Sequence, residues 1–334
     1  MKKRIYIYSP SGAVRDKAAF KRGITRLETL GHDVEVDEAA LSSHLRFAGD
    51  DETRLAAIHR ACASGADVAL ISRGGYGLTR ILPGIKYKTV AKAIDKGTQF
   101  VGISDFTAFQ SAVLAQSGSV TWAGPALCEG FGVGGKPDMT DGNGYGEVPV
   151  PDDIMEACFD DFLSGQGEGA GWRVNKLANQ KIIDLIAVDP IDTPARVDLD
   201  IKNSVLWGGN LTVLTSLLGT PYFPSIKGGL LFLEDVGEHP YRIERMLTQL
   251  LHSGVLARQK AVILGQFTEF KLVPHDRGFK LESVVNWLRQ QIKIPVLTNL
   301  PYGHVATKVL LPVGAKTDLI LEGRDALLFW GDAH

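Results

Sequence analysis

Short strand-like runs, separated by stretches of helical period, fill the first third of the chain and leave few folds open to it. Arg4–Ser9, His32–Val36, Val68–Ser72 and Gln99–Ile103 read as strands. Between them, Ala18–Leu30 carries Phe20, Ile24, Leu27 and Leu30 on one helical face, and Asp51–Ala63 carries Leu55, Ile58 and Ala61. Thr89–Lys96 and Thr107–Gln116 complete the series, and Gly31 supplies a helix stop. Strands without a polar face must be covered on both sides, so strands alternating with helices predict a parallel sheet between two helical layers. The expected fold class is therefore α/β, with an N-terminal Rossmann/flavodoxin-like domain. Sheets of this kind bind ligands beyond the carboxyl ends of their strands. Arg73-Gly74-Gly75-Tyr76-Gly77 and Ser104-Asp105 both fall at such ends.

From about Cys128 to Gly171 the texture changes to Gly, Asp and Glu, interrupted by one helical stretch, Asp153–Leu163. This predicts a boundary near residue 170, with an α/β domain over 1–170 and a smaller β-rich domain over 171–334. The second half shows strand-like runs at Lys181–Val188, Leu230–Leu233, Ala261–Gly265 and Ala326–Trp330, with amphipathic helices at Tyr241–Leu251 and Leu281–Gln291. A length of 334 residues suits two domains. The net charge of −2 supplies no field for nucleic acid or a membrane surface. No run approaches the roughly 20 apolar residues of a membrane span, and the apolar run after Met1-Lys2-Lys3-Arg4 is too short for an export signal. A cytoplasmic protein is expected. Cys62, Cys128 and Cys158, without CxxC spacing, suit reduced thiols rather than disulfides or zinc.

Gly102-Ile103-Ser104-Asp105-Phe106-Thr107 places a serine between a strand and a helix, where a hydroxyl is lifted into solvent and the following amide can hold an oxyanion. Phe106 stands where the G-x-S-x-G elbow has its last glycine, and a helix N-cap role for Ser104 or Asp105 explains the same residues. A serine nucleophile needs a histidine base, and the base needs an acceptor. Of the eight histidines, His304 lies in a Pro/Gly loop, Asn299-Leu300-Pro301-Tyr302-Gly303-His304; a solvated loop histidine is the competing role. Leu231-Phe232-Leu233-Glu234-Asp235-Val236-Gly237-Glu238 ends an apolar strand in acids. Glu234 is the best-placed acceptor, while helix capping accounts equally for Asp235 or Glu238. The glycine loop Arg73–Gly77 matches neither GxxxxGK[ST] nor GxGxxG, so close backbone approach to a ligand suits it better than phosphate binding. A non-catalytic binding protein on the same sheet remains open. No HExxH or His/Asp cluster points to a metal.

Taken in order, Ser9-Pro10-Ser11-Gly12, Arg73–Gly77, Gly102–Thr107, Gly208-Gly209-Asn210-Leu211, Leu233–Glu238 with Tyr241-Arg242-Ile243-Glu244-Arg245, Tyr302-Gly303-His304 and Leu311-Pro312-Val313-Gly314-Ala315 resemble the LD-carboxypeptidase, or muramoyltetrapeptide carboxypeptidase, family of serine peptidases. The resemblance covers nearly the whole chain. It implies a triad of Ser104, His304 and Glu234, an oxyanion hole from the amides of Gly75 and Asp105, and no metal or organic cofactor. Arg73, Tyr76 and Asn210 are candidate substrate-binding residues. It further implies a homodimer that hydrolyses an L,D-peptide bond in murein tetrapeptide and releases D-alanine during cell-wall recycling. A related branch cleaves peptidyl-nucleotide antibiotics and confers self-immunity. The glycine-rich stretch Cys128–Gly171 aligns with no family pattern and leaves specificity open between the two.

Overall fold

The computed structural model describes residues 2–135, 150–175 and 198–331. Two compact units divide the chain: Met1–Gly167 with the returning segment Ala306–Leu311, and Glu168–Val305 with Pro312–Ala333.

In the first unit, β1 (Arg4–Tyr8), β2 (Asp33–Val36), β3 (Val68–Ile71), β4 (Gln99–Gly102) and β5 (Thr121–Ala123) form a sheet in the order β2-β1-β3-β4-β5, with a further strand opening at Leu311 beyond β5. Every described pairing among β1 to β5 is parallel. Ile5, Ile7, Val68, Leu70, Ile71, Phe100 and Val101 are buried. Each such side chain contributes about 1.5–3 kcal/mol, enough to hold these short strands under helices. β5 has only three residues, too few for a periodicity signal. The helix Lys17–Thr29 buries Ala19, Phe20, Gly23 and Leu27, while Leu30 stays exposed. Gly23 joins that face because the turn Leu127–Phe131 packs on it: a Cβ at Gly23 would stand 2.8 Å from the Leu127 side chain.

The winding order sends the chain away in opposite directions from β1 and β3, which opens a crevice beyond their carboxyl ends. Ser9–Gly12 follows β1, and Ser72–Gly77 follows β3.

The second unit contains β6 (Gly169–Arg173), β7 (Asp198–Asn210), β8 (Leu230–Val236), β9 (Ala261–Thr268), β10 (Val296–Leu297), β12 (Lys316–Glu322) and β13 (Asp325–Phe329), the strand Leu311–Val313 being β11. The sheet order is β10-β9-β8-β7-β12-β13-β6. β7 changes partners along its length: Asp198–Val205 pairs antiparallel with β12, and Leu206–Asn210 parallel with β8. The run expected at Lys181–Val188 lies outside the described residues.

Gly208 lies in the parallel half of β7 at φ +134°, and a Cβ there would fall 1.9 Å from the carbonyl oxygen of Phe232 on β8. Only glycine allows the two strands this approach. Gly208→Ala is expected to destabilise the second unit by on the order of 3 kcal/mol, from strain plus a displaced strand, read as a lower urea midpoint. No helix among the described residues is long and apolar enough to cross a membrane.

Candidate active site

Ser104 sits immediately beyond β4 at φ +67°, a left-handed conformation that costs a serine energy and points to a functional constraint. It opens a short 3-10 turn, Ser104–Phe106, that feeds the helix Thr107–Ser117. Neither Ser104 nor Asp105 caps that helix with its side chain. The Asp105 carboxylate turns instead to Ser11 and Leu78, accepting Ser11 Oγ–H at 2.5 Å and the Leu78 N–H at 2.9 Å. Burial pushes this carboxyl above its usual range, while the hydrogen bonds from Ser11 and the amides of Leu78 and Gly77 oppose the shift.

The glycine loop lies against Ser104. A Cβ on Gly74 would stand 2.6 Å from Ser104 Cβ and 2.8 Å from its Oγ, so this position has no room for a side chain. The Gly12 N–H donates to Gly74 C=O at 3.2 Å, joining the Ser9–Gly12 motif to the loop. Gly75 follows at φ +123°. Arg73 donates through Nη1 to Ala13 C=O at 3.3 Å and lies 3.8 Å from the Glu129 carboxylate. Tyr76 is exposed, its ring 5.9 Å from Phe47 and beneath the Arg46 guanidinium.

In the second unit, Glu234 lies inside β8 rather than beyond it, because the strand continues to Val236. The register with β9 shifts here: Leu233 faces Leu264 and Asp235 faces Phe267, so Glu234 stands opposite an extra residue in β9. Glu234 is fully buried. Its Oε2 meets His304 Nδ1 at 2.9 Å, and its Oε1 accepts from Asn210 Nδ2 at 3.1 Å. A carboxylate only accepts, so Nδ1 carries the proton toward Glu234 and Nε2 is the basic nitrogen. The His304 side chain is 18% exposed, far from a solvated loop histidine. Its loop is laid onto β9: Gln266 N–H donates to Tyr302 C=O at 2.9 Å, and Thr268 Oγ1 to His304 C=O at 3.4 Å. Gly303, at φ +143°, brings the turn close enough that a Cβ would lie 3.4 Å from Glu234 Cβ.

Asn210 pairs across the sheet with Glu234. Its Nδ2 also donates to Asp235 at 3.0 Å, and its Oδ1 caps the helix Leu211–Ser216 by accepting from Val213 N–H. Asp235 further accepts from the amide and hydroxyl of Thr212 and from Val236 N–H. Burial, with the charge of Glu234 beside it, pushes the Asp235 carboxyl up. Glu238 instead faces Arg242 at 3.6 Å, and the helix Pro240–His252 is capped by His239. The hydrogen bond that Asn210 gives Glu234 depends on strand register, which single-sequence periodicity does not supply. Burial pushes the Cys62 and Cys128 thiols up to about 12 and raises that of Cys158, so all three are poor nucleophiles at neutral pH.

The first unit thus carries a strained serine at a strand-to-helix turn, and the second unit a buried glutamate bonded to a histidine. The chain matches the model of the LD-carboxypeptidase N-terminal domain over residues 5–124 and that of the LD-carboxypeptidase C-terminal domain over 203–319. It belongs to the LD-carboxypeptidase family. Among solved structures it resembles a muramoyltetrapeptide carboxypeptidase from Oxalobacter formigenes, with 36% identity, TM-score 0.79, and 98% of this chain and 99% of that one covered. The murein tetrapeptide carboxypeptidase of Pseudomonas aeruginosa is 28% identical, covering 96% of this chain and 93% of its own. The microcin C7 self-immunity protein MccF of Escherichia coli is 25% identical, covering 75% and 70%.

Proposed function

We propose that this protein is a serine carboxypeptidase that hydrolyses the L,D-peptide bond of murein tetrapeptide and releases terminal D-alanine. The observation that carries the mechanism is the 2.9 Å bond between His304 Nδ1 and the buried Glu234 carboxylate, which leaves Nε2 as base. Family membership supplies the reaction class. In this reading Ser104 Oγ attacks the scissile carbonyl as His304 Nε2 takes its proton, and Glu234 stabilises the imidazolium. The amides of Gly75 and Asp105 hold the oxyanion. The C–N bond then breaks, His304 returns the proton to the departing D-alanine amine, and an acyl-Ser104 ester remains. Water, deprotonated by the same nitrogen, attacks the ester carbonyl; the bond to Ser104 Oγ breaks, His304 gives that proton to Oγ, and the shortened peptide leaves with its new carboxylate. The cycle closes on protein groups alone. Arg73, Tyr76 and Asn210 are carried as substrate-binding residues. Asn210 would act with its side chain already engaged by Glu234 and Asp235. The protein is expected to work in the cytoplasm as a homodimer, a mass that light scattering would report.

The test is release of D-alanine from purified murein tetrapeptide, followed by mass spectrometry. Stoichiometric D-alanine and tripeptide support the proposal. No release by a folded protein sinks it for this substrate. The likeness to the self-immunity protein then makes a peptidyl-nucleotide conjugate the second substrate to try.

A further inference from the structure

Ser11, Gly77-Leu78 and Ser104-Asp105 come from three separate segments of the first unit, and one side chain ties them together. The Asp105 carboxylate is 1% exposed and accepts hydrogen bonds from Ser11 Oγ at 2.5 Å and the Leu78 amide at 2.9 Å, with the Gly77 amide beside it as a third donor that favours its charge. Ser11 is itself fully buried. Its neighbour Gly12 bonds to Gly74 C=O, and Gly74 has no room for a side chain against Ser104. Ser11–Gly12 and Gly77–Leu78 therefore grip the glycine loop near its two ends, and the group they share is covalently next to Ser104. The Arg54 guanidinium, also fully buried, stabilises the charge from nearby and bonds to Pro10 C=O at 3.3 Å.

We infer that the carboxylate of Asp105 is a positioning residue for the hydrolytic reaction, holding the Gly75 amide and the strained Ser104 turn at the separation that an oxyanion and its attacking hydroxyl require. The inference rests on the proposed role of Ser104 and concerns a part of Asp105 distinct from its main-chain N–H. Displacement of a reacting group by about 1 Å costs roughly 100-fold in rate with little effect on ground-state binding. Loss of this carboxylate would loosen both ends of the loop at once.

Asp105→Asn keeps the volume but brings N–H donors into a pocket already lined by three donors. Two of those are main-chain amides that cannot reverse their role. The expected result is a fall in kcat of about 30- to 100-fold with KM changed less than about twofold. The maximal rate of Ser104 labelling by a fluorophosphonate should fall by a similar factor, a readout that needs no peptide substrate. Ser11→Ala removes one of the three donors, so a loss of about 3- to 10-fold is expected, and the double variant should be no slower than Asp105→Asn alone. A side chain that served only the fold would lower the melting temperature without separating kcat from KM. Wild-type protein that is not labelled at Ser104 defeats the hydrolase reading itself. Wild-type labelling with an unchanged rate in Asp105→Asn, or a loss confined to KM, overturns the inference. If Asp105→Asn does not fold, Ser11→Ala decides, and wild-type kcat and labelling in that variant would overturn it equally.

Discussion

Alanine at Ser104 is expected to lower kcat for D-alanine release by about 10⁴- to 10⁶-fold, with secondary structure and melting temperature retained. Removing Oγ removes the one protein atom that bonds to the acyl group in the proposed cycle, and water at the same place lacks its orientation. His304→Ala should fall into the same range, since an unassisted serine hydroxyl is a weak nucleophile. The double variant should be no slower than either single one, because the two side chains act as a unit. Ser104→Gly sharpens the test. The serine holds φ +67°, where glycine rests without strain, so this variant should be as inactive as Ser104→Ala yet melt no lower than the wild type. Initial rates by coupled D-alanine detection and melting by circular dichroism check both halves. Near-normal turnover in Ser104→Ala or His304→Ala would end the assignment.

The parts of this molecule that are legible in its sequence are those where one local rule suffices. β1, β3 and β4 are buried on both sides and read as unbroken apolar runs, and the helices Asp51–Ala63 and Leu281–Gln291 sit where period and composition place them. β7 is less plain. Its first half offers only a short alternation, Leu199 and Ile201 between charged residues, and its second half contains Gly208 and Gly209, which lower strand propensity; β12 and β8 flank it in the sheet. The residues of the proposed site divide in the same way. Ser104 and His304 are marked by turn chemistry, a strand-to-helix junction and a Pro/Gly loop. Glu234 looks like the first residue past a strand, whereas it lies within β8, opposite an irregularity in β9. The bonds from Asn210 to Glu234 and from Ser11 to Asp105 join residues 24 and 94 positions apart. Contacts of that separation follow from tertiary register, to which propensity and period are blind.

Glu234→Gln is expected to lower kcat by about 10³- to 10⁴-fold, whereas Glu238→Gln should change it by less than about threefold. The asymmetry follows from the orientation of Asn210. Its Oδ1 accepts from Val213 N–H, so its Nδ2 is the end that faces Glu234 and Asp235, and that N–H needs an acceptor. A glutamine at 234 must therefore turn its oxygen toward Asn210 and its own N–H toward His304. The imidazole can answer only by placing its lone pair on Nδ1 and its proton on Nε2, the tautomer unable to accept a proton from serine. The volume of Glu234 is preserved and the buried charge removed, so stability should change little while the base is lost. Glu238 offers no such lever, being paired at 3.6 Å with Arg242 on the following helical turn. The proton positions are directly observable: ¹⁵N chemical shifts of His304 should report Nδ1–H in the wild type and Nε2–H in Glu234→Gln. Unchanged kcat in Glu234→Gln together with a large loss in Glu238→Gln would transfer the orienting role to the second carboxylate. Loss of activity without a tautomer change would mean that Glu234 acts through the charge it places beside the imidazolium rather than through the proton it fixes.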